Sequence, residues 1–398
     1  VIIPSNGGLK VPAVNGEFPL VNENPDQPNE KFFESVDTVV KLALEKNMVM
    51  ALLPAWGDKV TTMKYGGSGP VIFNIDNAYR FGLFLGKRYR QYPNIVWVMG
   101  GDHPAYNETD DWRPVYQAMA KGIEEGTGQP VLISFHPGGV MWESALQVHN
   151  EKWLDFNMIQ SGHSEVDQPV WKTVARDRQL SPVKPVVDAE PCYEDHPIHP
   201  WPTWNPANGY FRAYEVRKQL YRSVFAGALG VTYGHHAVWQ FYSPRFKGML
   251  HVDRYWTEAL DRPGAFQAGY LRKLIESRPQ LQRVPDQSII VAGQGEKGAY
   301  SCAFRDSLGR YLMVYLPVGK TVTIKTSVIA AAKINAWWFD PQTAKVQAIG
   351  SMKNKSNMRL ICHSRKQDIP RYIDDPLCSI MYRRSVEKSM MPMFRQIR

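Results

Sequence analysis

The chain has 398 residues, 44% hydrophobic and 21% charged, an ordinary globular composition with room for one large domain and a smaller one. Its net charge of +9 gathers at one end, where residues 351–398 hold 11 Lys and Arg against four Asp and Glu, leaving about +2 for the rest; no global basic field follows, and no nucleic-acid partner is expected. No apolar run reaches the roughly 18 residues that span a bilayer, and Cys192, Cys302, Cys362 and Cys378 form no CxxC pair, which argues against structural zinc and against a disulfide scaffold.

VIIP (1–4) reads as a strand, and a loop rich in Pro, Gly and Asn runs to about residue 28. Asn29 caps a predicted helix with Phe32, Phe33, Val36, Val39, Val40, Ala43 and Leu44 at helical spacing. MVMALLP (48–54) is a buried strand, 76–91 a helix ending before Pro93, and NIVWVMGGD (94–102) the clearest strand, stopped by Gly100-Gly101. A helix over 112–125 leads to VLISFHP (131–137), one over 142–150 to LDFNMIQSGH (154–163), and one over 168–178 to KPVVDAEP (184–191). A helix over 210–227 then leads to GVTYGHHAVWQF (230–241), and a last helix covers 264–277. Continuous apolar strands alternating with amphipathic helices predict an α/β fold with a parallel sheet covered by helices. Seven strands and seven helices, opening on a strand, predict that residues 1–280 form a (β/α)8 TIM-type barrel lacking its first βα unit. The chain opens in an apolar run without initiator Met or signal peptide, so compartment is not read from it.

Residues 278–286, with Pro279 and Pro285, read as a linker. SIIVAGQG, AYSCAFRD, YLMVYLPVG, TVTIKTS and AWWFDPQTAKVQAIG then predict a small antiparallel β-sandwich over 287–350, with Trp337-Trp338 as core or as a sugar platform. Residues 351–398 hold six of the 15 Met and no periodicity that can be followed; they are expected to be an irregular basic tail or a non-native end outside the fold.

In such a barrel the chemistry sits at the C-terminal ends of the strands. In chain order those ends offer Trp56 and Asp58, Asp102 and His103, His136, Gln160 and His163, Glu190, and His235, His236 and Trp239. Asp102 and Glu190 stand out. Glycoside hydrolysis needs one carboxyl to protonate the leaving oxygen and a second carboxylate to attack the anomeric carbon or activate water. Asp102 follows two glycines that admit substrate and sits at an apolar strand's mouth, where desolvation favours the protonated form. Glu190 precedes Pro191, which ends its strand; Asp188 lies deeper and suits a structural role. Trp56 and Trp239 are candidates for stacking on a sugar face. His103, His136, His163 and His235 are candidates for sugar hydroxyls or for orienting Glu190. Asp58 is a candidate hydroxyl acceptor, although Lys59 beside it suggests the surface. Tyr193 is placed to donate to the nucleophile, and HPIHPWPTW (196–204) forms a subsite wall or packs on the rim.

With one strand missing at the front, Asp102 follows strand four and Glu190 strand seven, as acid/base and nucleophile do in a large clan of retaining glycoside hydrolases. The segments LPAWGDK, NIVWVMGGD, SFHP, QSGH, DAEPCYE and GHHAVWQF resemble the apiosidase-like glycoside hydrolases (glycoside hydrolase family 140), a barrel followed by a β-domain that carries a collagen-binding label. The resemblance covers residues 1 to about 350. It implies Asp102 as acid/base, Glu190 as nucleophile, retention of configuration, and a secreted or periplasmic bacterial enzyme acting on plant pectin side chains. A carbohydrate is then the partner, with no cofactor and no metal. The chain departs from the family in lacking its first barrel strand and in its last 48 residues.

Two other readings compete. A metal-dependent barrel hydrolase would use the histidines with Asp102, but its usual HxH would lie on the missing strand, and HPIH (196–199) is a poor ligand pair. A non-catalytic carbohydrate- or matrix-binding protein would follow the label of the β-domain, which is analogy rather than chemistry.

Overall fold

The computed structural model describes residues 1–5, 8–61, 67, 69–138, 143–200, 203–362 and 379–384. Along the chain run α1 (Glu30–Glu45), β1 (Met50–Leu52), α2 (Ile75–Tyr89), β2 (Ile95–Gly100), α3 (Arg113–Thr127), β3 (Leu132–His136), α4 (Ala145–Val148), β4 (Asn157–Ile159), α5 (Val170–Asp177), β5 (Val186–Asp188), α6 (Ala213–Phe225), β6 (Gly230–Val231), α7 (His236–Trp239), α8 (Trp256–Ala259) and α9 (Pro263–Glu276). Among the described residues, β7 (Arg283–Pro285), β8 (Ile290–Ala292), β9 (Cys302–Asp306), β10 (Tyr311–Tyr315), β11 (Thr321–Lys325), β12 (Lys333–Phe339), β13 (Val346–Lys353), β14 (Asn357–Ile361) and β15 (Ser379–Arg384) follow. Among the described residues no helix is long and apolar enough to cross a membrane. The chain falls into two compact units, Val1–Gln160 with Leu180–Ala189, and Ser161–Gln179 with Glu190–Arg398.

In the first unit the alternation of apolar strand and amphipathic helix folds as its pattern demands. Asn29 caps α1, its side chain accepting from the Lys31 amide, and the helix buries Phe32, Phe33, Val40 and Ala43. β1, β2 and β3 pair in parallel in that order, so the apolar run of β2 lies between two neighbours. β4 and β5 pair in parallel as well. VIIP contributes less than a strand, a single parallel bridge from Ile3 to Ala55 with the Ile2 amide donating to the Leu53 carbonyl at 2.8 Å.

In the second unit α6 is buried on nearly every side, including Arg217, Lys218 and Arg222. The reason lies in the C-terminal strands, which form two antiparallel sheets ordered β13-β12-β15-β10-β9-β7 and β14-β11-β8. Side chains alternate across a strand. Phe304, Tyr311, Met313, Tyr315 and Phe339 share one core with Leu220, Tyr221, Val224 and Phe225 of α6 and with Leu271 and Leu274 of α9. Their neighbours Ala303, Leu312, Val314, Ile334 and Ala336 share another with Ile289, Ile290, Val322 and Ile324. Trp337 packs on the first core and Trp338 on the second, so this pair is packing rather than a sugar platform. Trp171 of α5 stacks on Tyr300 at 4.2 Å and 10°, and Arg222 donates to the Lys297 and Gly298 carbonyls at 2.7 Å each.

The strands do not stop at residue 350. β13 runs to Lys353, β14 pairs with β11, and β15 lies between β12 and β10, although all of this was expected to be irregular. In β14 the period is readable after all: Met358 and Leu360 face the core while Asn357, Arg359 and Ile361 are exposed. The rest of the expected tail, residues 363–378 and 385–398, lies outside the described residues.

Candidate active site

In the first unit the ends of β1, β2 and β3 carry the expected residues. Gly100 and Gly101 take φ of 79° and 110°, and Asp102 follows at 51°. A left-handed backbone at a residue with a Cβ costs on the order of 1 kcal/mol, and such strain gathers at functional positions. The turn is held from below by Gly138, where a Cβ would lie 2.3 Å from Asp102 Cα. Gln160 Nε2 donates to Asp102 Oδ1 at 3.0 Å, and His136 Nδ1 stands 3.7 Å from the same oxygen while facing the Pro137 carbonyl at 3.0 Å. Trp56 is half-buried, its ring 6.2 Å from that of His136.

Two neighbours belong to the core. Asp58 and Lys59 are both buried and form an ion pair at 3.0 Å, with Gly69 satisfying each of them through its amide and its carbonyl. Lys59 therefore does not mark the surface, and the Asp58 carboxylate serves this pair rather than a sugar hydroxyl. His103 is fully buried with Nδ1 2.8 Å from Thr61 Oγ1, out of reach of a substrate, and burial lowers its pKa to about 4.

In the second unit Glu190 follows β5 with little exposure. His163 Nε2 stands 3.4 Å from Glu190 Oε1. The Tyr193 amide donates to His163 Nδ1 at 3.2 Å, so the neutral ring carries its proton on Nε2, facing the carboxylate. Tyr193 meets this histidine ring to ring at 4.4 Å, supporting the group that faces Glu190. Trp239 is 45% exposed, with Nε1 donated to His236 Nδ1 at 3.2 Å, which leaves its ring open as a platform. Ile198 and Trp204 are buried, so their loop packs inward at these positions.

His235 is committed elsewhere. Its Nδ1 accepts from the Ala237 amide at 3.0 Å and its Nε2 donates to Asp195 Oδ2 at 3.1 Å, leaving neither nitrogen for a sugar. Asp195 is buried and also pairs with Arg212, with Arg254 Nε at 2.8 Å and with Arg262 Nε at 2.9 Å. Burial alone would raise its pKa; the His235 and Arg212 hydrogen bonds and the arginine charges outweigh it and hold the carboxyl well below its usual range. Beside it the buried Glu194 accepts from Tyr233 Oη at 2.7 Å and from the Gly264 amide at 3.0 Å, at the N-terminal end of α9. These two carboxylates pin the loop that follows Glu190, and neither was singled out in the sequence; nor was Gln160 given a role, although its strand-end position had been noted.

The buried histidines set an acid limit on stability. His103 and His236 are desolvated to a pKa of about 4, against 6.5 in an open chain. Between these values the unfolded chain binds more protons than the folded one, so stability falls as the pH drops from about 6.5 toward 4 and is level above. The loss is up to about 3 kcal/mol for each histidine. Denaturant midpoints measured from pH 8 to pH 4.5 should show this fall, and replacing His103 should reduce its slope.

Residues 1–282 match the family described as "Apiosidase-like, catalytic domain", and residues 284–369 the family described as "Putative collagen-binding domain of a collagenase". Among solved structures, one described as a glycoside hydrolase is 30% identical, with a TM-score of 0.83 over 95% of this chain and 83% of that one. A glycoside hydrolase family 5 protein from Bacteroides vulgatus ATCC 8482 is 28% identical, with a TM-score of 0.83 over 97% of this chain and 82% of that one. No curated protein matches the sequence.

Proposed function

The chain belongs to the apiosidase-like catalytic-domain family and is a glycoside hydrolase, and on that premise we propose that Glu190 and Asp102 are its nucleophile and its acid/base in a retaining double displacement. Glu190 attacks the anomeric carbon while Asp102 protonates the departing oxygen. The bond to the leaving group breaks and a glycosyl ester on Glu190 forms. Asp102 then takes a proton from water, which attacks the same carbon and frees Glu190. In this reading each carboxylate stands at the C-terminal end of a parallel strand, Asp102 after β2 and Glu190 after β5.

The observation that carries the proposal is the setting of Glu190. A carboxylate at a strand end, faced by an imidazole whose tautomer is fixed to present N–H, is aimed as a nucleophile requires. At Asp102, Gln160 donates to Oδ1 at 3.0 Å and His136 Nδ1 stands 3.7 Å from the same oxygen, which suits a carboxyl that gives and retakes a proton. Trp56 and Trp239 offer faces to a sugar, and His136 an imidazole nitrogen to its hydroxyls.

The substrate in this reading is a plant cell-wall glycan, a pectin side chain, with an apiosyl bond cleaved by an exported enzyme. A panel of pectin-derived oligosaccharides tests it. Release of apiose, with other pentosides intact, is the expected result; turnover of other glycosides with none of apiosides would reassign the sugar and leave the two carboxylates in place.

A further inference from the structure

Stacked on the face of His163 lies a second imidazole with no place in the reaction above. His196 is buried, and its ring lies parallel to that of His163, 4.1 Å away at 18°. Its Nδ1 donates to the Pro197 carbonyl at 2.7 Å, which fixes its rotation and its tautomer. Trp204 meets it edge-on at 4.9 Å, and His236 follows at 4.4 Å and 66°. His236 is itself pinned, Nε2 donating to the Leu250 carbonyl at 2.9 Å and Nδ1 accepting from Trp239. The result is a row of three imidazoles, His236, His196 and His163, of which His163 faces Glu190.

We infer that His196 is a positioning residue for the nucleophile: its stacked ring holds His163 in the plane in which Nε2–H faces Glu190 Oε1. The inference rests on the assignment of Glu190 above. His163 is steered by one amide on Nδ1 and one face contact from His196, with the Tyr193 ring tilted against it at 59° and Trp204 edge-on at 6.2 Å. Without the stack the imidazole can rotate about its ring bond and the 3.4 Å approach to Glu190 is lost. His196 contributes as a neutral ring. Burial and the neighbouring His163 and His236 depress its pKa strongly, against smaller opposing effects of the Pro197 carbonyl and the Glu190 charge.

Two variants separate positioning from packing. His196→Phe keeps a flat ring on His163, whereas His196→Leu keeps volume without one. The leucine variant is expected to lose about 10- to 100-fold in kcat with KM nearly unchanged. The acid limb of its kcat/KM profile should rise by about one pH unit, because Glu190 loses a donor to its charged form. The phenylalanine variant should stay within about threefold of the parent. A folded leucine variant with the parent's kcat and pH profile overturns the inference, as does equal impairment of both variants. If neither variant folds, ¹⁵N-histidine NMR of the parent protein at pH 8 decides: His163 protonated on Nε2 and bare on Nδ1 is expected, and the opposite tautomer overturns it. Full activity in Glu190→Gln would remove the site assignment itself; loss of activity there, with an unshifted His196→Leu profile, removes only the role of His196.

Discussion

Glu190→Gln should leave a folded protein whose kcat is lower by on the order of 10⁴-fold or more on every substrate. The amide is too weak a nucleophile to open the glycosidic bond, and no good leaving group can help it. Asp102→Asn should behave differently. On a natural glycoside, whose alcohol must be protonated as it departs, it should lose about 10²- to 10⁴-fold. On an aryl glycoside with an acidic phenol the first step needs no acid, and the loss should shrink while the glycosyl ester accumulates as a burst. Kinetics of the two variants on both substrate types give this contrast. Equal losses on both substrates for Asp102→Asn would deny it the role of acid. Thermal melts should show both variants folded, since each substitution is close to isosteric.

Ending the chain after Gln282, where the catalytic family match stops, should abolish cooperative folding rather than release a catalytic domain. The compact units do not divide there. Leu220, Tyr221, Val224, Phe225, Leu271 and Leu274 are buried in a core that Phe304, Tyr311, Met313, Tyr315 and Phe339 complete. Fully burying one such side chain contributes about 1.5–3 kcal/mol. Baring several of them consumes a whole domain's stability of about 5–15 kcal/mol. Arg222 adds to the loss, since its buried guanidinium donates to the Lys297 and Gly298 carbonyls, which the shortened chain lacks. Circular dichroism melts of residues 1–282 should show no sharp transition and little soluble protein. A cooperative melt with retained hydrolysis would mean that the shared core is dispensable.

The sheet arrangement also limits what the β-domain can do. Its six-stranded sheet is covered by α6 and α9 on one side and by the three-stranded sheet on the other. The middle strands of that sheet are therefore closed to a flat binding platform, while its edge strand β13 stays largely exposed.

Much of this was legible in the sequence. Helices α1 to α6 and α9 start and stop within a few residues of where caps, Pro and apolar spacing put them, because each signal is local: Asn29 and α1 are one example, Pro93 beyond α2 another. α7 instead falls inside the segment 230–241 read as a strand, of which only Gly230–Val231 pairs, and α8 was not expected. That Asp102 follows a strand end was readable from Gly100-Gly101, and that Glu190 does so from the apolar run before it. What escaped was carried by distant residues. Asp195 draws on Arg212, His235, Arg254 and Arg262, which share no sequence pattern. The buried pair of Asp58 and Lys59 depends on Gly69, and adjacent charges alone suggest the surface. β15 takes both its partners, β10 and β12, from earlier in the chain across the long stretch that includes residues 363–378, so no hairpin signal announces it.

The central claim is that Glu190 becomes covalently glycosylated with Asp102 as its acid/base partner. Its most direct test is a peptide mass map of the protein after reaction with a 2-deoxy-2-fluoro glycoside of its substrate sugar bearing an activated leaving group, which slows release of the glycosyl enzyme. One fluorosugar on the peptide containing Glu190, with activity recovering as the adduct turns over, is the predicted result. Label on a different carboxylate, or no adduct together with a first product of inverted anomeric configuration, would contradict it.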